Sequence, residues 1–451
     1  MSSSSPEVKK LVDHLFRHEA GRMVAILTRL FGFHNLELAE DVVQDTLHQA
    51  LQDWCMGNIP DNPAGWLMVV AKRKAINMIK REKFYRSFAT DMDALLKSEW
   101  TAAYTMDQVF LEDEIKDSQL RMIFTCCHPD LPTEAQVSLT LKTLCGFSIS
   151  EISAALLTTE ANINKRLYRA KEKIRNADIS FTVPVGAKLR ERLDAVLLVI
   201  YLLFNEGYNA TDNNQPIRKD LCLEAIRLAM LLTGEPISSY ARGKKGAAAE
   251  GDTGERAAAG EGDARGSQGL GDLYALLALM CLHAARFDAR IDSHNCLIIL
   301  EEQDRTLWDK ELIAQGLEFL CRSATGTVAT AYHLEAAIAA EHCLAANFRE
   351  TNWDKIHEYY TALERLKPSS VIRLNLAIVT GKKEGPEAAI TLLHELEQRK
   401  MLENYCLLYA SLGEFYYQTG RTTEAIDYYL RAKSLAKSPA ARDAIDRKIR
   451  Q

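Results

Sequence analysis

The sequence TEAQVSLTLKTLCGFSISEISAALLTTEANINKRLYRAKEKIR, residues 133–175, predicts three short helices packed as a helix-turn-helix. A capping box at Thr133–Gln136 opens the first helix, and a second capping box at Ser148–Glu151 opens the next. Gly146 ends the first helix, because glycine readily takes the left-handed conformation that closes a helix. The third helix is expected over residues 161–174.

This third helix is amphipathic, and Thr158 or Thr159 caps its start. Its inward stripe consists of Ile163, Leu167, Ala170 and Ile174. Its outward face carries Lys165, Arg166, Arg169, Lys171, Lys173 and Arg175 against one acid, Glu172. A cationic helix on a two-helix support suits the phosphates and base edges of a DNA major groove. The alternative is a solvated basic helix face.

Length and composition bound the class of protein. The chain has 451 residues and 47% apolar residues, enough for two to four domains. Its net charge is only −6, so the protein as a whole has no electrostatic field that would attract nucleic acid. The basic residues are instead concentrated in particular segments, and this pattern is the more informative one. No secretory signal is visible at residues 1–10, and the longest apolar run, residues 195–204, is about half of a membrane span. We therefore expect a cytoplasmic protein that has no membrane partner.

The ten cysteines show neither CxxC pairs nor metal-ligand spacing, which predicts reduced thiols and no metal site. The adjacent Cys126 and Cys127 are expected to be buried structural residues. The sequence contains no nucleophile–base pair, phosphate loop or cofactor motif. We therefore predict no catalytic residues, no cofactor and no enzymatic activity.

The first 90 residues predict three helices, over residues 7–32, 36–54 and 64–81. The second exposes a face that is acidic and amidic, which by default is simply solvated. The third carries Trp66 near its start and accumulates cations towards its end. Aromatic residues beside a dense cationic run suit single-stranded nucleic acid. A buried tryptophan is the alternative for Trp66.

These two basic modules, joined by an acidic segment, resemble the extracytoplasmic-function subgroup of bacterial sigma factors. Residues 41–45 (DVVQD) are similar to the helix that docks on the clamp helices of the polymerase β′ subunit. Residues 62–67 (NPAGWL) and 71–77 (AKRKAIN) are similar to the helix that melts and reads the promoter −10 element. Residues 133–175 resemble sigma domain four, which binds the −35 major groove.

The resemblance implies a role for each matching residue, and core polymerase (β′ clamp helices and β flap) and promoter DNA as partners. Core binding falls to Asp41, Gln44 and Asp45. The −10 contacts fall to Trp66, Lys72, Arg73, Lys74, Asn77, Lys80 and Arg81. The −35 contacts fall to Thr159, Asn162, Lys165, Arg166, Arg169 and Lys171. Arg73 replaces the smaller polar residue of many relatives, so promoter preference does not carry over.

The segment between the modules, residues 91–117, holds acids that in sigma factors thread a channel later occupied by RNA. A disordered acidic tether is the alternative. Residues 120–129 (LRMIFTCCHP) and 201–208 (YLLFNEGY) resemble a subgroup with a long C-terminal extension.

The extension predicts helices, with a flexible loop over about residues 243–271 where glycine and alanine dominate. Its end matches the spacing of tetratricopeptide repeats through Tyr409, Leu412, Gly413, Tyr416, Ala425, Tyr429 and Ala432. Weaker copies surround Ala377 and Trp353. Such repeats offer a concave surface to a peptide or protein partner, although the stack could instead only support the other domains.

The sequence thus predicts an all-α protein: two small helical sigma domains, the second a helix-turn-helix, followed by a helical, tetratricopeptide-like C-terminal domain. The expected segments are domain two at 7–90, an acidic linker at 91–117, domain four at 118–178, a helical extension at 184–345 and the repeats at 346–440. The predicted function is promoter-specific transcription initiation, modulated in cis by the extension. A helix-turn-helix repressor or activator with a tetratricopeptide sensor is the alternative. A scaffolding repeat protein would explain only the last third.

Overall fold

The computed structural model describes residues 6–55, 59–80, 110–156, 158–177, 179–184, 187–208, 217–233, 261–292, 297–324, 328–400, 402–436 and 439–450. Helices make up the regular structure of these residues, and the one β-bridge among them joins Ile291 to Leu297. The all-α prediction is therefore confirmed. The chain divides into two compact units, Met1–Leu203 and Phe204–Gln451.

The first unit begins with a three-helix group. Its helices are α1 (Pro6–Phe31), α2 (Leu36–Cys55) and α3 (Pro63–Lys80). Their apolar faces form one core, with Ile26, Leu27, Ala39, Leu67 and Ala75 wholly buried. Each of these residues falls on one face of its helix at a helical period, which is why the three faces close on each other.

Helix α4 (Glu112–Cys126) packs on α1 and begins inside the segment expected to be an acidic linker. Its acids pair with α1: Arg22 with Glu112, and Arg29 with Glu114 at 2.5 Å. Residues 112–117 are therefore helical, contact α1 through these pairs and bury Ile115, so they are not a tether. Most of the predicted linker, residues 91–109, lies outside the described residues.

The helix-turn-helix consists of α5 (Thr133–Thr143), α6 (Ile149–Ala155) and α7 (Glu160–Asn176). The predicted Thr133–Gln136 capping box is wrong. Pro132 occupies the N-cap, and the Gln136 amide instead donates to the carbonyls of His128 and Leu131, at 2.8 and 3.0 Å. The Gln136 amide bonds to these carbonyls rather than to the helix end, because backbone carbonyls removed from water need a hydrogen-bond donor.

The boundary between the two units falls within α8 (Ala187–Tyr208), not at the predicted residue 184. Helices α9 (Lys219–Thr233) and α10 (Glu261–Ala284) follow in the second unit. Helix α10 starts inside the predicted 243–271 loop, although residues 261–271 include four glycines. The rest of that loop, residues 243–260, lies outside the described residues.

The second unit has an apolar centre in α10. The segment Gly269–Ala289 has the length and mean hydropathy of a membrane span (1.3), yet 89% of its apolar window is buried inside the protein. Nine consecutive residues, 273–281, are buried. A helix apolar on all sides and surrounded by other helices is a core helix.

The remaining helices form consecutive packed pairs. They are α11 (Lys310–Ser323), α12 (Ala331–Leu344), α13 (Trp353–Leu366), α14 (Ser370–Glu384), α15 (Pro386–Gln398), α16 (Cys406–Gln418), α17 (Thr422–Leu435) and α18 (Pro439–Ile449). The residues of the predicted repeat, Tyr409, Leu412, Ala425, Tyr429 and Ala432, share one buried cluster. A Cβ on Gly413 would lie 2.7 Å from the Tyr429 ring, so only glycine allows this crossing.

Candidate nucleic-acid interface

Helix α7 is held in place by its caps and its buried stripe. The Thr159 hydroxyl accepts the Asn162 amide at 3.2 Å and caps the helix. The Ser148–Glu151 capping box on α6 is confirmed: Ser148 Oγ accepts from Glu151 N at 3.2 Å, and Glu151 Oε2 accepts from Ser148 N at 2.8 Å. The predicted inward stripe of α7 is buried throughout. Together these features present the opposite face of α7 outwards.

The cations of α7 separate into two groups. Lys165 and Arg169 are exposed and Arg166 is partly exposed, beside the exposed Asn162 and Thr159. Lys171 is mostly buried, and its ammonium lies 2.9 Å from Glu40 Oε2 on α2. The structure thus brings five of the six predicted −35 residues onto one accessible face. The sixth is engaged in an ion pair.

Tyr168 was missed by the sequence reasoning, although it lies between Arg166 and Arg169. It is 61% exposed, so the accessible face of α7 combines an aromatic ring with guanidinium and ammonium groups. Its position outside the apolar stripe was the available signal. An exposed tyrosine has a face for stacking and a hydroxyl that hydrogen-bonds.

Two ion pairs join the helix-turn-helix to the first three helices. Besides the Glu40–Lys171 pair, Arg17 on α1 contacts Glu151 at 2.5 Å and stacks over the Phe147 ring at 4.4 Å. The backbones also approach closely here, since a Cβ on Gly21 would lie 2.0 Å from the Leu144 carbonyl oxygen. A cavity of about 440 Å³ opens along this junction. The two predicted DNA-binding modules are therefore docked on each other in this structure.

The predicted polymerase-binding residues share the outer face of α2. Asp41, Gln44 and Asp45 are all exposed, whereas Val42 and Val43 between them are buried. Lys74 on α3 donates to the Asp45 carbonyl oxygen at 2.8 Å. This face of α2 therefore exposes two carboxylates, and a lysine of α3 contacts the α2 backbone next to it.

Helix α3 separates its aromatic and cationic parts. Trp66 is half-buried and packs on Trp54, with ring centroids 5.6 Å apart. Arg73 and Asn77 are exposed, and the Lys72 ammonium lies 5.9 Å from the Phe110 ring. Arg81 lies outside the described residues, as does the side chain of Lys80. The described −10 candidates thus lie along α3, and Trp66 serves the core as well as the surface.

Cys126 and Cys127 are buried, as predicted. Their sulfurs contact Thr143 Oγ1 at 3.3 Å and Thr140 Oγ1 at 3.7 Å. Burial raises the pKa of Cys127 to about 12, which keeps the thiol protonated. Within the described part of the chain, no cluster of three or more histidine, cysteine or acidic residues could hold a metal ion.

A second cavity, of about 520 Å³, lies on the helix pairs of the second unit. Its apolar lining includes Ile378, Leu407 and Phe415, and its charged lining includes Lys382 and Glu414. Leu407 is 44% exposed there. Apolar and charged side chains therefore line this cavity together.

Comparison with known proteins finds three family matches. Residues 15–85 match Sigma-70 region 2, and residues 121–174 match Sigma-70, region 4. Residues 192–244 and 265–324 match a family of unknown function (DUF6596). An uncharacterized protein of Rhizobium meliloti (strain 1021) is 34% identical over 412 residues, which cover 90% of this chain and 87% of the relative.

Proposed function

The chain belongs to the sigma-70 family of RNA polymerase sigma factors, and we propose that it is an extracytoplasmic-function member that directs core polymerase to specific promoters. The activity in this proposal is binding rather than catalysis, because sigma-factor families are not enzymes. The observation that carries the proposal is one folded unit with an exposed acidic face on α2 and an exposed cationic face on α7. The protein would act in the cytoplasm, where core polymerase is found.

In this proposal Asp41, Gln44 and Asp45 hold the β′ clamp helices, and the helix-turn-helix contacts the β flap. The test is co-elution of the full chain with sigma-free core polymerase, repeated with Asp41→Lys plus Asp45→Lys. A matched control reverses two exposed acids outside α2 and the helix-turn-helix, Asp113→Lys plus Glu318→Lys, which gives the same change in net charge.

Co-elution that only the α2 variant loses supports the proposal and its main interface. Sequence-specific DNA binding without affinity for core polymerase would favour the second candidate, a helix-turn-helix repressor or activator with a tetratricopeptide sensor. That candidate assigns no task to the acidic face of α2.

For the −35 element we propose that Lys165, Arg166 and Arg169 enter the major groove, with Thr159 and Asn162 at the helix start. An arginine can contact guanine with two hydrogen bonds, whereas a lysine neutralises a phosphate. Arg166→Ala should cost about 1–3 kcal/mol at one −35 base pair, and Lys165→Ala should weaken all promoters alike. A uniform loss for Arg166→Ala would contradict its assignment. Lys171 reaches DNA only if its pair with Glu40 opens.

For the −10 element we propose that Trp66, Arg73 and Asn77 lie at the displaced bases, with Lys72, Lys74, Lys80 and Arg81 on phosphates. Asn77→Ala in the polymerase complex should reduce permanganate oxidation of unpaired promoter thymines without changing −35 binding. Arg349→Ala, in the second unit, is the control. Unchanged oxidation would remove Asn77 from the melting site.

The extension, in this proposal, carries a tetratricopeptide-like surface for a peptide or protein partner and controls the sigma region in cis. The cavity lined by Leu407 and Phe415 supports the first part. The deletion that tests the second part should begin after Tyr208, because residues 187–203 of α8 belong to the first unit. Transcription from a cognate promoter should rise if the extension inhibits and fall if it assists. Unchanged transcription would make the extension an independent module.

A further inference from the structure

A cluster of polar groups, three of them buried and three half-buried, lies in the second unit at the ends of α8, α10 and α12 and in the loop after α10. We call it the arginine–histidine cluster, and its members are Tyr208, His283, Arg286, Arg305, Trp308 and His342. Arg286 is only 8% exposed and Trp308 only 5%. No part of the proposed sigma function uses these residues.

Ring and guanidinium contacts connect the cluster. The rings of Tyr208 and His283 lie 4.7 Å apart. The guanidinium carbons of Arg286 and Arg305 lie 5.5 and 4.6 Å from the centre of the Trp308 ring. The Trp308 ring therefore contacts both guanidinium groups. A cation over an indole ring recovers only part of the energy lost when the cation is buried.

The positive charge in the cluster lacks a matching acid. Arg286 and Arg305 form no salt bridge with a carboxylate among the described residues; Arg305 donates to the carbonyls of His342 and Ala345, both at 2.6 Å. Burial, followed by the charges of Arg286 and Arg305, lowers the pKa of His342 to about 3. Burial, followed by Arg286 and Arg290, lowers the pKa of His283. Both imidazoles thus experience a net positive field.

Unpaired atoms mark the same place. The described residues contain twelve buried side-chain nitrogen or oxygen atoms without a hydrogen-bond partner, and six of them belong to the cluster. These six are Tyr208 Oη, His283 Nδ1, Arg286 Nε, Arg305 Nη2, Trp308 Nε1 and His342 Nδ1. The two arginine atoms and the indole nitrogen can only donate, so they need an acceptor. Leaving such donors unpaired in the interior is costly.

We propose that the arginine–histidine cluster binds a small oxyanion, a phosphate or carboxylate group of a small molecule. An oxyanion accepts from several donors at once and supplies the negative charge that the two arginines lack. Tyr208 and the neutral histidines, which donate or accept according to tautomer, complete the contacts. The site gives the extension a chemical ligand of its own, whether or not the first unit acts on promoters.

The test uses the full chain in phosphate-free chloride buffer. Inorganic phosphate and succinate are titrated separately at constant ionic strength, with thermal unfolding and calorimetry as readouts. We expect at least one of them to raise the unfolding temperature by about 2–4 °C at saturation. A response to phosphate alone identifies a phosphate group, and a response to succinate alone identifies a carboxylate.

Arg286→Met removes one cation while it keeps most of the side-chain stem. Without ligand this variant should be at least as stable as the parent chain, because an uncompensated buried charge is gone, and it should lose the response to anion. The matched control is Arg322→Met, whose guanidinium carbon stacks 4.2 Å from the Tyr274 ring in the same unit. This control should keep the full response.

Trp308→Phe is the second variant, in case Arg286→Met fails to fold. It keeps an aromatic ring under both arginines and removes the Nε1 donor, so the affinity should fall roughly tenfold. Equal responses in the parent chain and in both cluster variants would overturn the proposal. So would the absence of any response beyond that to chloride.

Discussion

Lys171→Met tests whether the ion pair on α7 serves the fold rather than the DNA. The Lys171 ammonium and Glu40 Oε2 are 2.9 Å apart, and their side chains are only 19% and 15% exposed. At this distance the Coulomb attraction is about 6 kcal/mol at an effective dielectric constant of 20 and about 1.4 kcal/mol in bulk water. Desolvation and side-chain ordering offset most of it, so we expect a coupling of about 1–2 kcal/mol.

The single substitution should cost more than the coupling itself. Glu40 Oε1 is buried without a hydrogen-bond partner among the described residues, so losing Lys171 leaves the carboxylate poorly solvated. We therefore expect Lys171→Met to lower the opening free energy of the docked modules by about 2–3 kcal/mol. Adding Glu40→Gln should restore part of that loss, because the unpaired charge is then removed.

The assay is native-state hydrogen exchange of the full chain, read by mass spectrometry on peptides from α2 and α7. Both peptides should lose protection together, since the pair joins these two helices. Lys165→Met is the control, because it removes an exposed lysine from the same helix and should change the opening free energy by less than about 0.5 kcal/mol. Equal protection in Lys171→Met and Lys165→Met, or a coupling near zero in the double-mutant cycle, would refute the reasoning.

Three further predictions follow from single contacts. Ser148→Ala removes the acceptor of the α6 capping box and should lower the local opening free energy of α6 by about 1 kcal/mol. The control, Ser150→Ala at an exposed position of the same helix, should leave that free energy unchanged. Hydrogen exchange of an α6 peptide distinguishes the two variants. In the folded chain at pH 8, Cys126 and Cys127 should resist an aromatic disulfide reagent while the exposed Cys321 reacts, because burial raises the pKa of both thiols. Peptide mapping would show which cysteines are modified. Modification of Cys127 at the rate of Cys321 would contradict its burial. Burial lowers the pKa of His342 to about 3, so on acidification the unfolded chain binds a proton at a higher pH than the folded chain does. The free energy of unfolding should therefore fall below about pH 6.5, by up to about 1.4 kcal/mol per pH unit, until about pH 3. In urea unfolding, His342→Gln should show a smaller dependence of this free energy on pH, and an unchanged dependence would assign the effect to other groups.

Local patterns were sufficient for most of the first unit. The inward stripe of α7 and the Ser148–Glu151 capping box are both confirmed, because caps and helical periodicity depend on residues three or four positions apart. The burial of Cys126 and Cys127 was also predicted correctly. The roles given to individual residues at the polymerase and the promoter stay predictions, since they depend on partners outside the chain.

Long-range competition caused the errors. The local pattern predicts that Gln136 caps α5, but its amide instead donates to two carbonyls of the preceding loop. The acidic composition predicts a linker at residues 112–117, but this segment is helical and its acids pair with Arg22 and Arg29 of α1. In both cases the contacting group lies outside the local sequence pattern, because only the folded chain brings it close.

The sequence by itself determined the helices, the helix-turn-helix and the sigma-factor resemblance, because helical period and capping are local properties of the chain. Only the tertiary structure decided which cations remain accessible. Lys165 and Lys171 have the same charge and lie on the same helix, yet α2 presents Glu40 to one of them and nothing comparable to the other within the described residues. The arginine–histidine cluster arises in the same way, because residues more than 100 positions apart in sequence meet only when α8, α10 and α12 pack. The sequence shows which residues carry charges and hydrogen-bond donors. Whether each of them has a partner depends on which groups folding brings within a few ångströms.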